Sequence, residues 1–252
     1  MKVIKELRGY SNCRLEVIQD NNQLFVRKHG GLDRNIPQLK VISDLGLRTP
    51  KIYDVASNHF DMEYIVAADM KSYLTNNRIN GPIEYIKSVI KKLASTVTTT
   101  KDYTETYKKK LAYIDQEYYQ SILPFTSQEL ISKLPRRLPQ SSYHGDLTLE
   151  NIMYDVQNSE FLLIDAVTIE YDSFVFDLAK LRQDLTCGWF IRHESIYIDQ
   201  KLQIILDQVF EDYKQFLIDE LVIVMLLRVL LYAPNGSFEE QYLINWIKKL
   251  WN

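Results

Sequence analysis

Residues 144–165, HGDLTLENIMYDVQNSEFLLID, constrain the fold more than any other stretch of the chain. Two short apolar runs, NIMYD and FLLID, flank the turn VQNSE. Runs of this length bounded by turn residues read as the paired strands of a hairpin. Such a hairpin carries Asn151 at its entrance and Asp165 at its exit, on the same side, with Asp146 on the loop that leads in. Two carboxylates and an amide are therefore expected to converge. Asn151 and Asp165 offer the hard oxygen donors that Mg²⁺ takes. Asp146 lies close by and need not bind metal, which leaves it able to accept a proton. A base for a hydroxyl, with an Asn and a second Asp for the metal, is the division of labour that phosphoryl transfer needs.

The patterns on either side of this hairpin differ. CRLEVIQDNNQLFVRKHGG reads as two alternating runs around DNNQ, a second hairpin in which Leu24 and Val26 share one face and Phe25 and Arg27 the other. LDRNIPQLKVISDLGLRTP has a helical period at Leu39, Ile42 and Leu45, ended by Gly46 and Pro50. KIYDVASNHFDMEYIV supplies two further short strands. Beyond about residue 66 helical periodicity dominates, including 82–97, 127–134, 175–185 and 199–217. The expected organisation is α+β with two lobes: a small β-rich lobe over residues 1–66 and a large, mainly α-helical lobe over 67–252.

Composition excludes several classes. A net charge of −3, with no basic stripe interleaved with aromatics, argues against a nucleic-acid partner. The two cysteines, Cys13 and Cys187, match neither a disulfide framework nor a metal spacing, so a reducing, cytoplasmic setting is expected. The start has no apolar signal core. The most apolar stretch, 221–233, is too short to span a membrane and carries Arg228 in its middle, which makes it a buried helix. With 8 Gly and 7 Pro in the whole chain, no flexible linker is expected.

His144-Gly145-Asp146-Leu147-Thr148-Leu149-Glu150-Asn151 repeats the Asp-to-Asn interval of the protein-kinase catalytic loop, H-R-D-L-x-x-x-N, and Asp165 stands where the D of D-F-G would. With Gly in place of Arg, and with FDLAKL at 176–181, the chain resembles the aminoglycoside phosphotransferase and choline kinase superfamily, small-molecule kinases of protein-kinase-like fold. The resemblance is specific over residues 144–180. It implies Asp146 as catalytic base, Asn151 and Asp165 as metal ligands, and Asp177 as a brace for the catalytic loop. It implies that LRGYSNC is a Gly-poor phosphate loop, with Gly9, Ser11 and Asn12 near phosphate. Lys28 would hold the α- and β-phosphates, and the backbone of Glu63, Tyr64 and Ile65 would hold adenine. The helix after Lys28 departs from the kinase pattern: it contains no Glu to pair with that lysine, and Gln38 is nearest to the expected position.

The function implied is ATP- and Mg²⁺-dependent phosphorylation of a hydroxyl on a small metabolite, a sugar or amino-alcohol, in one possible setting surface-polysaccharide metabolism. The alternative is a pseudokinase that binds nucleotide without turnover, for which the missing Glu is the best support. His144 is expected as a structural hydrogen bonder. The tyrosines at 103, 107, 113, 118 and 119 are expected in packing, and residues 188–190, GWF, either line an acceptor pocket or pack in the core. The sequence leaves the oligomeric state open.

Overall fold

The computed structural model describes residues 1–7, 14–194 and 197–252. The chain forms two compact units. Met1–Asn77 and Glu150–Ile169 make the first; Arg78–Leu149 and Glu170–Asn252 make the second.

In the first unit, β1 (Lys2–Leu7), β2 (Leu15–Asp20), β3 (Gln23–His29), β4 (Ile52–Val55) and β5 (His59–Glu63) form an antiparallel sheet in the order β1-β2-β3-β5-β4. The β2–β3 hairpin closes through Asn21 and Asn22, both at positive φ (46° and 67°). Two left-handed residues in a two-residue loop match the right-handed twist of the strands, and Asn tolerates that region best after Gly. Helix α1 (Leu32–Asp44) follows β3, and β6 (Ala67–Asp69) and α2 (Met70–Asn76) follow β5. Val17, Ile18, Val26, Leu39, Ile42 and Phe60 are buried and make the core of this unit. Both Phe25 and Val26 are buried, so β3 is covered on both faces.

The second unit contains α3 (Asn80–Ala94), β7 (Thr99–Asp102), α4 (Thr104–Leu111), α5 (Glu117–Ile122), α6 (Ser127–Lys133) and β8 (Arg137–Gln140). The expected hairpin then appears in the first unit as β9 (Ile152–Asp155) and β10 (Glu160–Leu163), paired from Ile152↔Leu163 to Asp155↔Glu160. Returning to the second unit, the chain forms α7 (Phe174–Leu185), α8 (Asp199–Val209), α9 (Asp219–Leu230) and α10 (Phe238–Trp251). Helix α9 is the apolar stretch of the sequence, and Leu221 through Leu227 are all buried. A helix that is apolar all round belongs in a core. No helix among the described residues is long and apolar enough to cross a membrane. Tyr103 and Tyr107 are buried with Tyr171 and Phe176 in one ring cluster.

Two local expectations change. β6, β7 and β8 are three to four residues long, too short for a periodic signal, and exist because they find partners: β6 joins β9, and β7 pairs β8. Residues 199–217 are not one helix. α8 stops at Val209, Phe210 is buried, and a 3₁₀ segment at Glu211–Phe216 sets Tyr213 and Phe216 edge-on to Phe174.

Candidate functional site

Lys28 lies on β3, four per cent exposed, on the same face as Val26. Its Nζ is 2.6 Å from Oδ1 of Asp165. Arg27 points to the opposite face and is bound by both oxygens of Asp61 on β5, at 2.7 and 2.8 Å. The register of β3 therefore turns Lys28, not Arg27, to Asp165. The partner of Lys28 is this carboxylate, where protein kinases use a helix Glu.

Asp165 follows β10 and sits at φ 55°. A non-glycine residue in the left-handed region costs about 1–3 kcal/mol unless its surroundings hold it there. On the upstream side, the N–H of Ile164 donates to the carbonyl of Asn151 at 3.0 Å, which continues the hairpin past Leu163. That bond ties the entrance and the exit of the hairpin together. Asn151 is buried, whereas the Asp165 side chain is 40% exposed. One carboxylate and one amide fit Mg²⁺, which takes one or two protein oxygens and completes its shell with phosphate and water. Among the described residues no cluster of three or more His, Cys, Asp or Glu is built to hold a metal.

At the end of β5 the Glu63 carboxylate is engaged by Arg48 at 2.8 Å on each oxygen, and Arg48 holds its carboxyl below the usual range. The Glu63 N–H donates to the carbonyl of Lys51. That N–H is spent on strand pairing. Gly9, Ser11 and Asn12 lie outside the described residues.

In the second unit, the loop 144–149 is wrapped on one face of α7. Asp177, one turn into that helix and fully buried, accepts the N–H groups of His144 (2.5 Å) and Gly145 (2.9 Å). Burial pushes its carboxyl up to about 7 against the pull of these bonds and of one from Leu147. Asp184, two turns further, accepts the N–H of Leu149 at 2.7 Å. His144 is fully buried, and its Nδ1 accepts the N–H of Asp146 at 3.4 Å, a structural bond.

Oδ1 of Asp146 is 3.1 Å from Nζ of Lys180, and the Asp146 side chain is 37% exposed. Burial raises its carboxyl, but the charges of Lys180 and Arg228 outweigh that and hold it below the ordinary value. Arg228, on α9, donates to the carbonyl of Gly145 at 3.5 Å and lies over the Tyr171 ring. Sequence reading did not assign Lys180, Asp184 or Arg228. Two signals were there. Asp177, Lys180 and Asp184 share one stripe of a helix that is otherwise apolar up to Leu181, and Arg228 interrupts an apolar one, where a charge must find a partner.

A cavity of about 480 Å³ lies beyond the C-terminal end of α7, lined among others by Gly188, Ile191, Tyr197, Tyr242 and Trp246. Trp189 and Phe190, by contrast, are buried. Of the GWF segment, Gly188 lines this cavity and the two aromatic residues pack in the core.

The model of the Ecdysteroid kinase-like family matches residues 57–181. No curated protein matches the sequence. Among solved structures, a thermostable mutant of aminoglycoside phosphotransferase APH(4)-Ia, in ternary complex with AMP-PNP and hygromycin B, is similar at TM-score 0.66 and 9% identity over 99% of this chain and 94% of that one. Choline kinase LicA from Streptococcus pneumoniae is similar at TM-score 0.60 and 17% identity over 99% and 94%. A putative fructosamine-3-kinase from Haemophilus somnus is similar at TM-score 0.65 and 11% identity over 98% and 90%. At such identities the likeness is one of fold.

Proposed function

We propose, for a chain whose fold is like that of aminoglycoside phosphotransferase and choline kinase, ATP-dependent transfer of a phosphoryl group to a hydroxyl of a small metabolite. The observation that carries this reading is the buried Lys28 held 2.6 Å from Asp165, whose left-handed backbone marks it as a residue kept for chemistry. Lys28 holds phosphate, and adenine is held by backbone groups of Glu63, Tyr64 and Ile65. Asn151 and Asp165 would hold Mg²⁺, which supplies neutralisation of the phosphates when bound. Asp146 takes the proton of the acceptor hydroxyl, and Lys180 keeps that carboxylate ionised and directed. Asp177 and Asp184 fix the loop on which Asp146 sits.

The acceptor is a sugar or amino-alcohol taken from the cytoplasm, where ATP is supplied. Its aromatic-lined cavity begins at Leu185, five residues along α7 from Lys180, which is about 7.5 Å of helix. The pseudokinase alternative drew its support from the missing helix Glu. That support weakens once Lys28 has an acidic partner in Asp165.

The test is phosphoryl transfer from γ-labelled ATP to a panel of hydroxyl metabolites, with product mass as readout. Asp146→Asn should lower kcat by about 10²–10⁴-fold, the range for a positioned general base, and leave Mg·ATP binding intact. Loss of Mg·ATP binding in this variant would make Asp146 a ligand or structural residue. Nucleotide binding without any turnover across the panel would favour the pseudokinase.

A further inference from the structure

The first turn of α1 is bonded to two of the three residues that follow Asp165, Ala166 and Thr168. Asn35 Nδ2 donates to the carbonyl of Ala166 at 2.8 Å. The carbonyl of Arg34 accepts both the N–H of Thr168, at 2.9 Å, and its hydroxyl, at 3.1 Å. Arg34 Nε donates back to the carbonyl of Thr168 at 3.3 Å. Asn35 is 6% exposed and Ala166 fully buried, so this amide–carbonyl bond is made away from water. Breaking it leaves a buried acceptor without its donor, which costs more than the bond itself contributes.

The direction of the Asn35 amide is set by the chain before the helix. Gly31 caps α1 at φ 71°, and a Cβ there would lie 2.4 Å from Asn35 Oδ1. The glycine is required both by the left-handed backbone and by the space the amide occupies. With its oxygen turned to Gly31, the Asn35 amide presents its N–H₂ to Ala166. Asp165 is therefore bracketed: Asn151 holds the residue before it, and α1 holds the residue after it.

We infer that Asn35 is a positioning residue for Asp165, and that α1 acts on the metal-binding carboxylate through the backbone of residues 166–168 rather than through a carboxylate on Lys28. This rests on the kinase reading above. The strained φ of Asp165 persists only while both sides are held. When the downstream bond is lost the carboxylate relaxes, and the metal shell it completes loosens.

Asn35→Asp tests this. It keeps the shape, replaces the donor with an oxygen facing the Ala166 carbonyl, and places a carboxylate in the first turn of a helix, where the dipole favours it. The buried Ala166 carbonyl then faces an oxygen in place of its donor, so the unfolding midpoint should fall below that of the parent, and the Mg²⁺ comparisons are made at a temperature where the variant is folded. The apparent KM for Mg²⁺ should rise roughly tenfold or more, as for lost partners of metal ligands, with the KM for the acceptor unchanged. The Mg²⁺ dependence of nucleotide binding, read by thermal shift without turnover, should move by the same factor. In the absence of nucleotide, amide hydrogen exchange at Thr168 should accelerate. Asn35→Ala, which loses the same donor without adding a charge, should show the same pattern. Unchanged Mg²⁺ dependence in Asn35→Asp, in binding and turnover alike, overturns the inference. If the parent protein itself shows no Mg²⁺-dependent nucleotide binding, the kinase reading fails separately. Hydrogen exchange then decides the role of Asn35: parent-like protection at residues 166–168 in Asn35→Asp overturns the bracket, and lost protection upholds it.

Discussion

Asp146 and Asp165 are both carboxylates facing a lysine, yet the two lysines do different work. On the proposed reading Lys28 holds phosphate, so its removal should raise the KM for ATP with a smaller effect on kcat. Arg27 beside it is a structural cation, since Asp61 is buried and left unpaired without it. Arg27→Ala should cost on the order of 1–3 kcal/mol of stability and leave the KM for ATP unchanged. Steady-state kinetics and thermal unfolding on the two variants check this. A greater loss of ATP affinity in Arg27→Ala than in Lys28→Ala would contradict the register of β3. Lys180 has the second task. Its charge helps to hold the Asp146 carboxyl below the ordinary value, so the base stays ionised as pH falls. In Lys180→Met that carboxyl rises, the base is protonated at higher pH, and the acid limb of the kcat profile moves up. A profile that keeps its acid limb while kcat falls would assign Lys180 to some other role.

Helix α7 is the element that organises the second unit's chemistry. It is buried along its whole length, and the polar residues of one stripe, Asp177 and Asp184, supply acceptors to the N–H groups of the loop 144–149. A loop carries N–H groups that must be paired when buried, and here a helix side chain does this in place of a strand. Asp177 also gives the fold a pH dependence. Its folded value, pushed up by burial to about 7, lies above the unfolded one. The folded state therefore binds the proton more tightly, and the contribution is fully present below about pH 4, the ordinary carboxyl range. It is lost as pH rises through 7. Asp177→Asn should be less stable than the parent because an N–H₂ then faces a backbone N–H. The stability difference between the two should narrow as pH rises from 4 to 7. Urea unfolding at several pH values measures it, and a pH-independent difference would show that Asp177 does not titrate in this range.

At the scale of the whole molecule, nucleotide affinity is a stability term. A ligand at 100 times its Kd adds about 2.7 kcal/mol. Mg·ATP should therefore raise the unfolding midpoint of the parent protein, and Asp165→Ala should abolish the part of the rise that depends on Mg²⁺. Equal shifts in parent and variant would remove Asp165 from the metal site. The chain enters the first unit at Glu150 and leaves it at Ile169, so Asn151 and Asp165 belong to the first unit and Asp146 to the second. Unfolding followed by two probes, one in each unit, shows whether the ligand stabilises both.

The β2–β3 and β9–β10 hairpins, the β2–β3 turn at Asn21 and Asn22, and the spacing from Asp146 through Asn151 to Asp165 were determined by the sequence alone. Each is encoded within a few residues: alternation sets a strand, a left-handed pair sets a hairpin turn, and a hairpin sets its own two ends side by side. What only the tertiary structure decided is the choice of partners. Lys28 takes Asp165 across 137 positions, and Asn35 takes Ala166 across 131. The sequence shows the absence of a helix Glu but not what replaces it. Short strands such as β6 and the end of α8 at Val209 were decided the same way, by packing rather than propensity. The physical reason is range. Propensity and periodicity act over one or two turns of chain, whereas a buried charge or amide is satisfied by whichever group the folded core brings within about 3 Å.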